Sequence, residues 1–203
     1  MTDPSIVAQG YDAVYDAMPR SPTLLRLWKQ LVAGDDYPDD FYHISFITLP
    51  DLRHLARALN LSPGARFSDI ACGMGGPALW IARETGAHLY GVDLSPVAVA
   101  QAEKRAQDLG LAGTSHFSIG SFAETGLETT SMDAAMSVDA LQYEQTPNWH
   151  DRLFTAYSAV IDAREALREE MGEPATAAIL SEMALTVERD IYCGRVFAVA
   201  ERK

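Results

Sequence analysis

Long hydrophobic runs are missing from this sequence of 203 residues, and no stretch approaches the ~20 apolar residues of a membrane-spanning helix. Cysteine is nearly missing as well. Cys72 and Cys193 stand far apart without metal-ligand spacing, so they read as free thiols of a reducing compartment. Positive charge is scarce: 16 Lys and Arg face 28 Asp and Glu. The resulting net charge of −12 opposes phosphate-rich partners, which argues against nucleic acid and for a small-molecule ligand. The five histidines are scattered, so no metal site is expected. No nucleophile-elbow sequence supports Ser/His/Asp chemistry. The amino terminus lacks the basic start and apolar segment of a secretory signal, and the expected location is cytoplasmic.

What is present suits one ordinary globular domain, with 48% apolar and 22% charged residues. The chain turns on Phe67-Ser-Asp-Ile-Ala-Cys-Gly-Met-Gly-Gly-Pro-Ala-Leu-Trp80. A short apolar run enters a turn containing Gly73, Gly75 and Gly76, and a helical pattern follows. Glycines there admit tight or positive-φ turns and leave room for a ligand at the backbone. The next helix points its unpaired N–H groups and the positive end of its dipole into the loop. A second apolar strand, His88-Leu-Tyr-Gly-Val-Asp93, ends in an acid about 20 residues after Gly73, where a carboxylate can take both hydroxyls of a ribose. Ser95 is then a plausible N-cap, with Pro96 at the first helical position.

These residues resemble motifs I and II of the class I S-adenosylmethionine (SAM)-dependent methyltransferases. The resemblance makes Asp69 the acid that ends the first strand, and puts Ala71 where the family has its first glycine. It implies SAM as cofactor and S-adenosylhomocysteine as product. The cofactor contacts it implies are Asp69, Ala71, Cys72, Gly73, Gly75, Asp93, Leu94 and Ser95. Read literally, Gly73-x-Gly75-x-x-Ala78 also fits a dinucleotide fingerprint, so an NAD(P)-dependent oxidoreductase stays open as an alternative.

From residue 65 onward, strands alternate with helices: strands 66–71, 87–92, 114–119 and 133–138, helices 77–85 and 96–109. That alternation predicts an α/β fold, a mainly parallel Rossmann-like sheet with helices on both faces. Before it, residues 1–62 read as a helical cap, with the helical pattern broken at Pro19 and Pro22, an amphipathic helix over 23–32 and a further one over 52–59. By resemblance such a cap covers the cofactor and lines the acceptor site. Tyr11 becomes a cofactor candidate there, Tyr42 and Phe46 become acceptor contacts, and Ser45 is a candidate for either set; core packing is the competing reading of the aromatics. After strand three, Ser121 occupies the family's acidic place at the adenine ring, with Phe122 next; a plain surface turn is the alternative. Strand four leads to Asp139 and Gln142, which resemble the edge facing the reactive methyl; Asp139 could equally cap a helix. Trp149 is a further acceptor candidate. His43 and His150 are candidates for a general base.

The resemblance then breaks. By resemblance a helix, a fifth strand, another helix and a sixth strand are absent between Tyr143 and Glu144, whether lost naturally, deleted, or only left out of the numbering. Two long helices, 149–171 and 174–190, lead to a final strand starting near Arg195, which the resemblance makes antiparallel. Strand four would be an exposed edge unless the last strand or a second copy pairs with it, which raises a homodimer as an expectation. The expected divisions are a cap at 1–62, a SAM-binding core at 63–143, and helices with the last strand at 144–203. The implied function is methyl transfer to a small molecule, as in bacterial secondary metabolism. A non-catalytic SAM-binding or scaffold protein is the rival.

Overall fold

The computed structural model describes residues 4–38, 45–140, 149–190 and 198–201. The chain forms two compact units: Met1–Phe46 with Gln142–Val196, and Ile47–Leu141 with Phe197–Lys203.

The second unit holds the sheet. Its strands are β1 (Arg66–Ile70), β2 (His88–Asp93), β3 (Ser115–Ile119), β4 (Ala134–Ser137) and β5 (Ala198–Glu201), in the order β3-β2-β1-β4-β5. The first four are mutually parallel, and β5 runs antiparallel to β4, with Ala134 opposite Glu201 and Ser137 opposite Ala198. The edge that the missing segment would leave on β4 is therefore covered by the chain's own last strand. The junction between Tyr143 and Glu144 itself lies outside the described residues.

Local chemistry accounts for the helices of this unit. Helix α3 (Leu49–Leu59) starts on a reciprocal capping box between Thr48 and Asp51 and ends at Asn60 in a left-handed conformation. Helix α4 (Gly76–Thr85) follows the glycine turn and stops at left-handed Gly86. Helix α5 (Pro96–Asp108) begins where the Ser95 hydroxyl accepts the Ala98 N–H, with Pro96 at its first turn. Phe67, Leu79, Ile81 and Leu89 are fully buried between sheet and helices, and β1 buries the polar Ser68 and Asp69 beside them.

The first unit is helical: α1 (Pro4–Ala17), α2 (Pro22–Leu27), α6 (Trp149–Asp162), α7 (Arg164–Met171) and α8 (Glu173–Asp190). Helix α1 packs on α8, which also meets α6 and α7. Glu170 of α7 holds the start of α2, accepting from both Thr23 N–H and the Ser21 and Thr23 hydroxyls. Two expectations from sequence need correction here. The helix expected over 149–171 breaks at Ala163, where ψ opens to 2° and the Arg164 guanidinium takes up the Ile161 carbonyl. The helix expected from residue 23 to 32 ends at Leu27 and continues as a π-helical turn, Trp28–Ala33.

Candidate functional site

The turn after β1 is wound through three left-handed positions. Ala71 (φ 62°), Gly73 (φ 53°) and Gly75 (φ 72°) all have positive φ. Glycine accepts this freely, but alanine holds it against a cost of roughly 1–2 kcal/mol. The turn is pinned by Cys72 N–H to the Val92 carbonyl at 3.1 Å and by Gly75 N–H to the Cys72 carbonyl at 2.9 Å. Gly75 is doubly required, since a Cβ there would also stand 3.2 Å from Phe117 and 3.3 Å from Ala102. No side chain caps the start of α4, so its first-turn N–H groups face the loop.

Two carboxylates form the floor. Asp93, at the tip of β2, accepts the Gly73 N–H at 2.7 Å through Oδ2 and the Ser95 N–H at 2.9 Å through Oδ1. It thus ties the glycine turn to the start of α5. Asp69 is 1% exposed, and its Oδ1 is buried without a hydrogen-bond partner. Among the described residues it has no ion-pair partner either. Burial, with the Asp93 charge adding to it, pushes the Asp69 carboxyl well above the ordinary carboxylate range. Burial likewise raises the Cys72 thiol, helped by Asp69 and Asp93, which favours the neutral thiol over the nucleophilic thiolate. A buried, unpartnered acceptor oxygen in a negative environment is suited to an incoming cationic donor.

An apolar rim stands beside this floor. Five large apolar side chains are exposed among the described residues, and three of them cluster at the ends of β2 and β3: Ile119 (62%) is the last residue of β3, while Leu94 (39%) and Phe122 (50%) follow β2 and β3. Ile119 pairs in register with Asp93, and the Gly120 N–H donates to the Asp93 carbonyl at 2.9 Å. Ser121 and Glu124 then close a turn with reciprocal bonds of 3.0 and 3.1 Å. The arrangement offers hydroxyl recognition at Asp93 next to a surface for a flat ring.

The sheet unit therefore brings together Asp69, Ala71, Cys72, Gly73, Gly75, Asp93, Leu94, Ser95, Ser121 and Phe122. Ser95 is fully buried as the α5 cap, and its role is to hold Asp93 through its N–H. Asp139 lies past β4 at φ 56°, near the end where the Ser137 hydroxyl donates to the Ile70 carbonyl at 2.7 Å. Tyr11 and Phe46 belong to the first unit: the Tyr11 hydroxyl donates to Glu182, and Phe46 is buried against Trp28 with ring centroids 5.7 Å apart. Trp149 and His150 open α6, their side chains lying outside the described residues, as do Tyr42, His43 and Gln142 entirely. Sequence reasoning passed over Ile119 and the Gly91–Phe117 contact, where a Cβ on Gly91 would stand 2.4 Å from the ring. An isolated glycine inside a strand was the available signal.

Comparison with known proteins agrees with this geometry. The family model described as a methyltransferase domain matches residues 67–163. A sterol 24-C-methyltransferase of Gibberella zeae is 33% identical over 87 residues, which are 43% of this chain and 23% of that protein. The match thus spans about a quarter of the length of such curated relatives. Among solved structures, a SAM-dependent methyltransferase from Geobacter sulfurreducens in complex with S-adenosyl-L-homocysteine aligns over 82% of this chain and 99% of that one, at TM-score 0.51 and 21% identity. The cyclase SpnF aligns over 99% and 97%, at TM-score 0.59 and 17% identity. Both likenesses are of fold.

Proposed function

From the match of residues 67–163 to a methyltransferase domain and from the order of the sheet, we propose that this chain is a class I SAM-dependent methyltransferase, that its second unit binds SAM, and that it transfers the methyl group to a small-molecule acceptor. The observation that carries the reading is the buried, unpartnered Oδ1 of Asp69 set beside the Asp93 carboxylate at the glycine turn.

The residues present fit the cofactor. Asp69 offers an acceptor to the ammonium of its amino-acid end, and the glycine turn leaves backbone room beside it. Asp93 suits the ribose hydroxyls, because a carboxylate at the tip of β2 is an acceptor with about four lone-pair sites. Leu94, Ile119 and Phe122 would sandwich or flank the adenine. Bound SAM supplies a methyl group on a sulfonium, an electrophile that needs no further activation. The chain's own work is to hold an acceptor in line and to exclude water, so proximity carries much of the rate. His43 and His150 remain the proposed bases for an oxygen or nitrogen acceptor, and Tyr42, Phe46, Gln142 and Trp149 its proposed contacts. Tyr11 and Asp139 are kept as proposed cofactor neighbours.

The acceptor is proposed to be a metabolite and not a nucleic acid, on the strength of the net charge of −12. No helix among the described residues is long and apolar enough to cross a membrane, and a cytoplasmic site of action is part of the proposal. A second copy is not needed to cover β4, so the homodimer rests on no unpaired edge of that strand. The likeness to a cyclase favours keeping a second reading, a SAM-binding fold turned to other chemistry or to none. Mass-spectrometric detection of S-adenosylhomocysteine released from SAM, over a panel of small-molecule acceptors, separates the two. Acceptor-dependent release supports methyl transfer; tight SAM binding without release across the panel supports the second reading.

A further inference from the structure

The turn after β3 presents a purine with an apolar face and a neutral hydroxyl, and no carboxylate stands at its first position. Leu94 and Ile119 flank the last rung of the β2–β3 ladder, the Gly120 N–H to Asp93 carbonyl bond of 2.9 Å. Adjacent strands lie about 5 Å apart, so a ring resting beside that rung meets Leu94, Ile119 and Phe122 before any side chain deeper in the sheet. The polar side chain at the start of this turn is Ser121, through its hydroxyl. It already accepts the Glu124 N–H at 3.1 Å, while the Ser121 N–H donates to the Glu124 carbonyl at 3.0 Å. A neutral oxygen that is already accepting one N–H is a weak partner for an amine, whereas a carboxylate would offer a charge-assisted bond roughly twice as strong. Stacking, by contrast, is indifferent to ring substituents, because every base has a π-face.

We infer that this site holds the purine of its cofactor by its face and does not select for the 6-amino group, with Ser121 as the residue that sets this tolerance. The inference rests on the SAM reading above. It makes the protein open to cofactors whose purine is altered at position 6.

The test is calorimetric titration of the full chain with S-adenosylhomocysteine and with its 6-deamino (purine riboside) analogue, which keeps every ring nitrogen and loses only the amine. The wild type is expected to bind the two within about threefold of one another, the scale of one weak neutral hydrogen bond. Ser121→Asp is expected to open the ratio to tenfold or more in favour of S-adenosylhomocysteine. Phe122→Ala is expected to weaken both ligands by the same factor. A wild-type preference of tenfold or more for S-adenosylhomocysteine overturns the inference, and its loss in Glu124→Gln would assign the selection to that exposed carboxylate. Failure of both ligands to bind a chain that is folded by circular dichroism is a different result, since it removes the SAM reading itself.

Discussion

Gly91→Ala is a substitution of one methyl group in the middle of β2, and the structure makes it costly. The added Cβ would stand 2.4 and 2.7 Å from Cδ1 and Cε1 of Phe117, and 2.9 Å from the Cys72 sulfur. Ordinary contact begins near 3.4 Å, so the ring must withdraw by about 1 Å. Sliding along the sheet does not relieve it, because the same ring already lies against Gly75, where a Cβ would be 3.2 Å from Cε1. Phe117 is thus wedged between a strand glycine and the glycine turn. Overpacking of this kind costs about 1–3 kcal/mol. For a chain of this size each 1 kcal/mol lowers Tm by about 2–4 °C, so a fall of several degrees is expected by circular dichroism. Displacement of the ring also disturbs the cofactor turn, so affinity for S-adenosylhomocysteine should fall with it. Phe117→Leu in the Gly91→Ala background supplies the internal check: trimming the ring should make the double variant more stable than the sum of the single effects. An unchanged Tm for Gly91→Ala, or strict additivity with Phe117→Leu, refutes the wedge.

Other expectations follow from the same geometry. Ala71→Gly relieves a positive-φ alanine, and after the entropic cost of glycine is set against it, urea unfolding should show a gain of up to about 1 kcal/mol. Asp69 has its folded pKa raised, so the folded chain holds a proton that the unfolded chain releases above about pH 4, and stability falls as pH rises through that window towards the folded value. Asp69→Asn should flatten this slope and stabilise the protein at neutral pH while weakening S-adenosylhomocysteine binding; a variant less stable than wild type at pH 7 contradicts the assignment. For Glu170, burial pushes the carboxyl up but hydrogen bonds from Ser21 and Thr23 outweigh it, leaving the folded pKa lowered. Its contribution is present above the unfolded pKa and lost as pH falls through the folded one. Glu170→Ala should therefore cost about 1–2 kcal/mol in urea unfolding at pH 7, and progressively less as pH falls below the ordinary carboxylate range.

Much of the sheet unit was legible in the sequence because its signals are local. Turn glycines, an acid at the tip of β2, and Ser95-Pro96 ahead of an amphipathic run each act within a few residues, and the structure places strands and caps there within a residue or two. The position of Ala71 was legible too, though only coordinates show that it takes the full left-handed conformation. What stayed hidden depends on distant partners. The pairing of β5 with β4 joins residues more than 60 apart and has no local mark, so the sequence left it open between the last strand and a second copy. The isolation of Asp69 Oδ1 is a property of everything that fails to reach it. The break at Ala163 interrupts a pattern with neither glycine nor proline, so periodicity ran straight through it. Ser121 was read by position as an adenine contact, and its engagement with Glu124 belongs to the closed turn.

The central claim is that the second unit is a SAM site. Calorimetric titration of S-adenosylhomocysteine into the wild-type chain and into Asp93→Ala, with both confirmed as folded, tests it most directly. The account predicts one site per chain with micromolar affinity. It also predicts a loss of tenfold or more in the variant, because a charge-assisted acceptor of about 1.5–3 kcal/mol is removed. No binding by the folded wild type, or equal binding by Asp93→Ala, contradicts it.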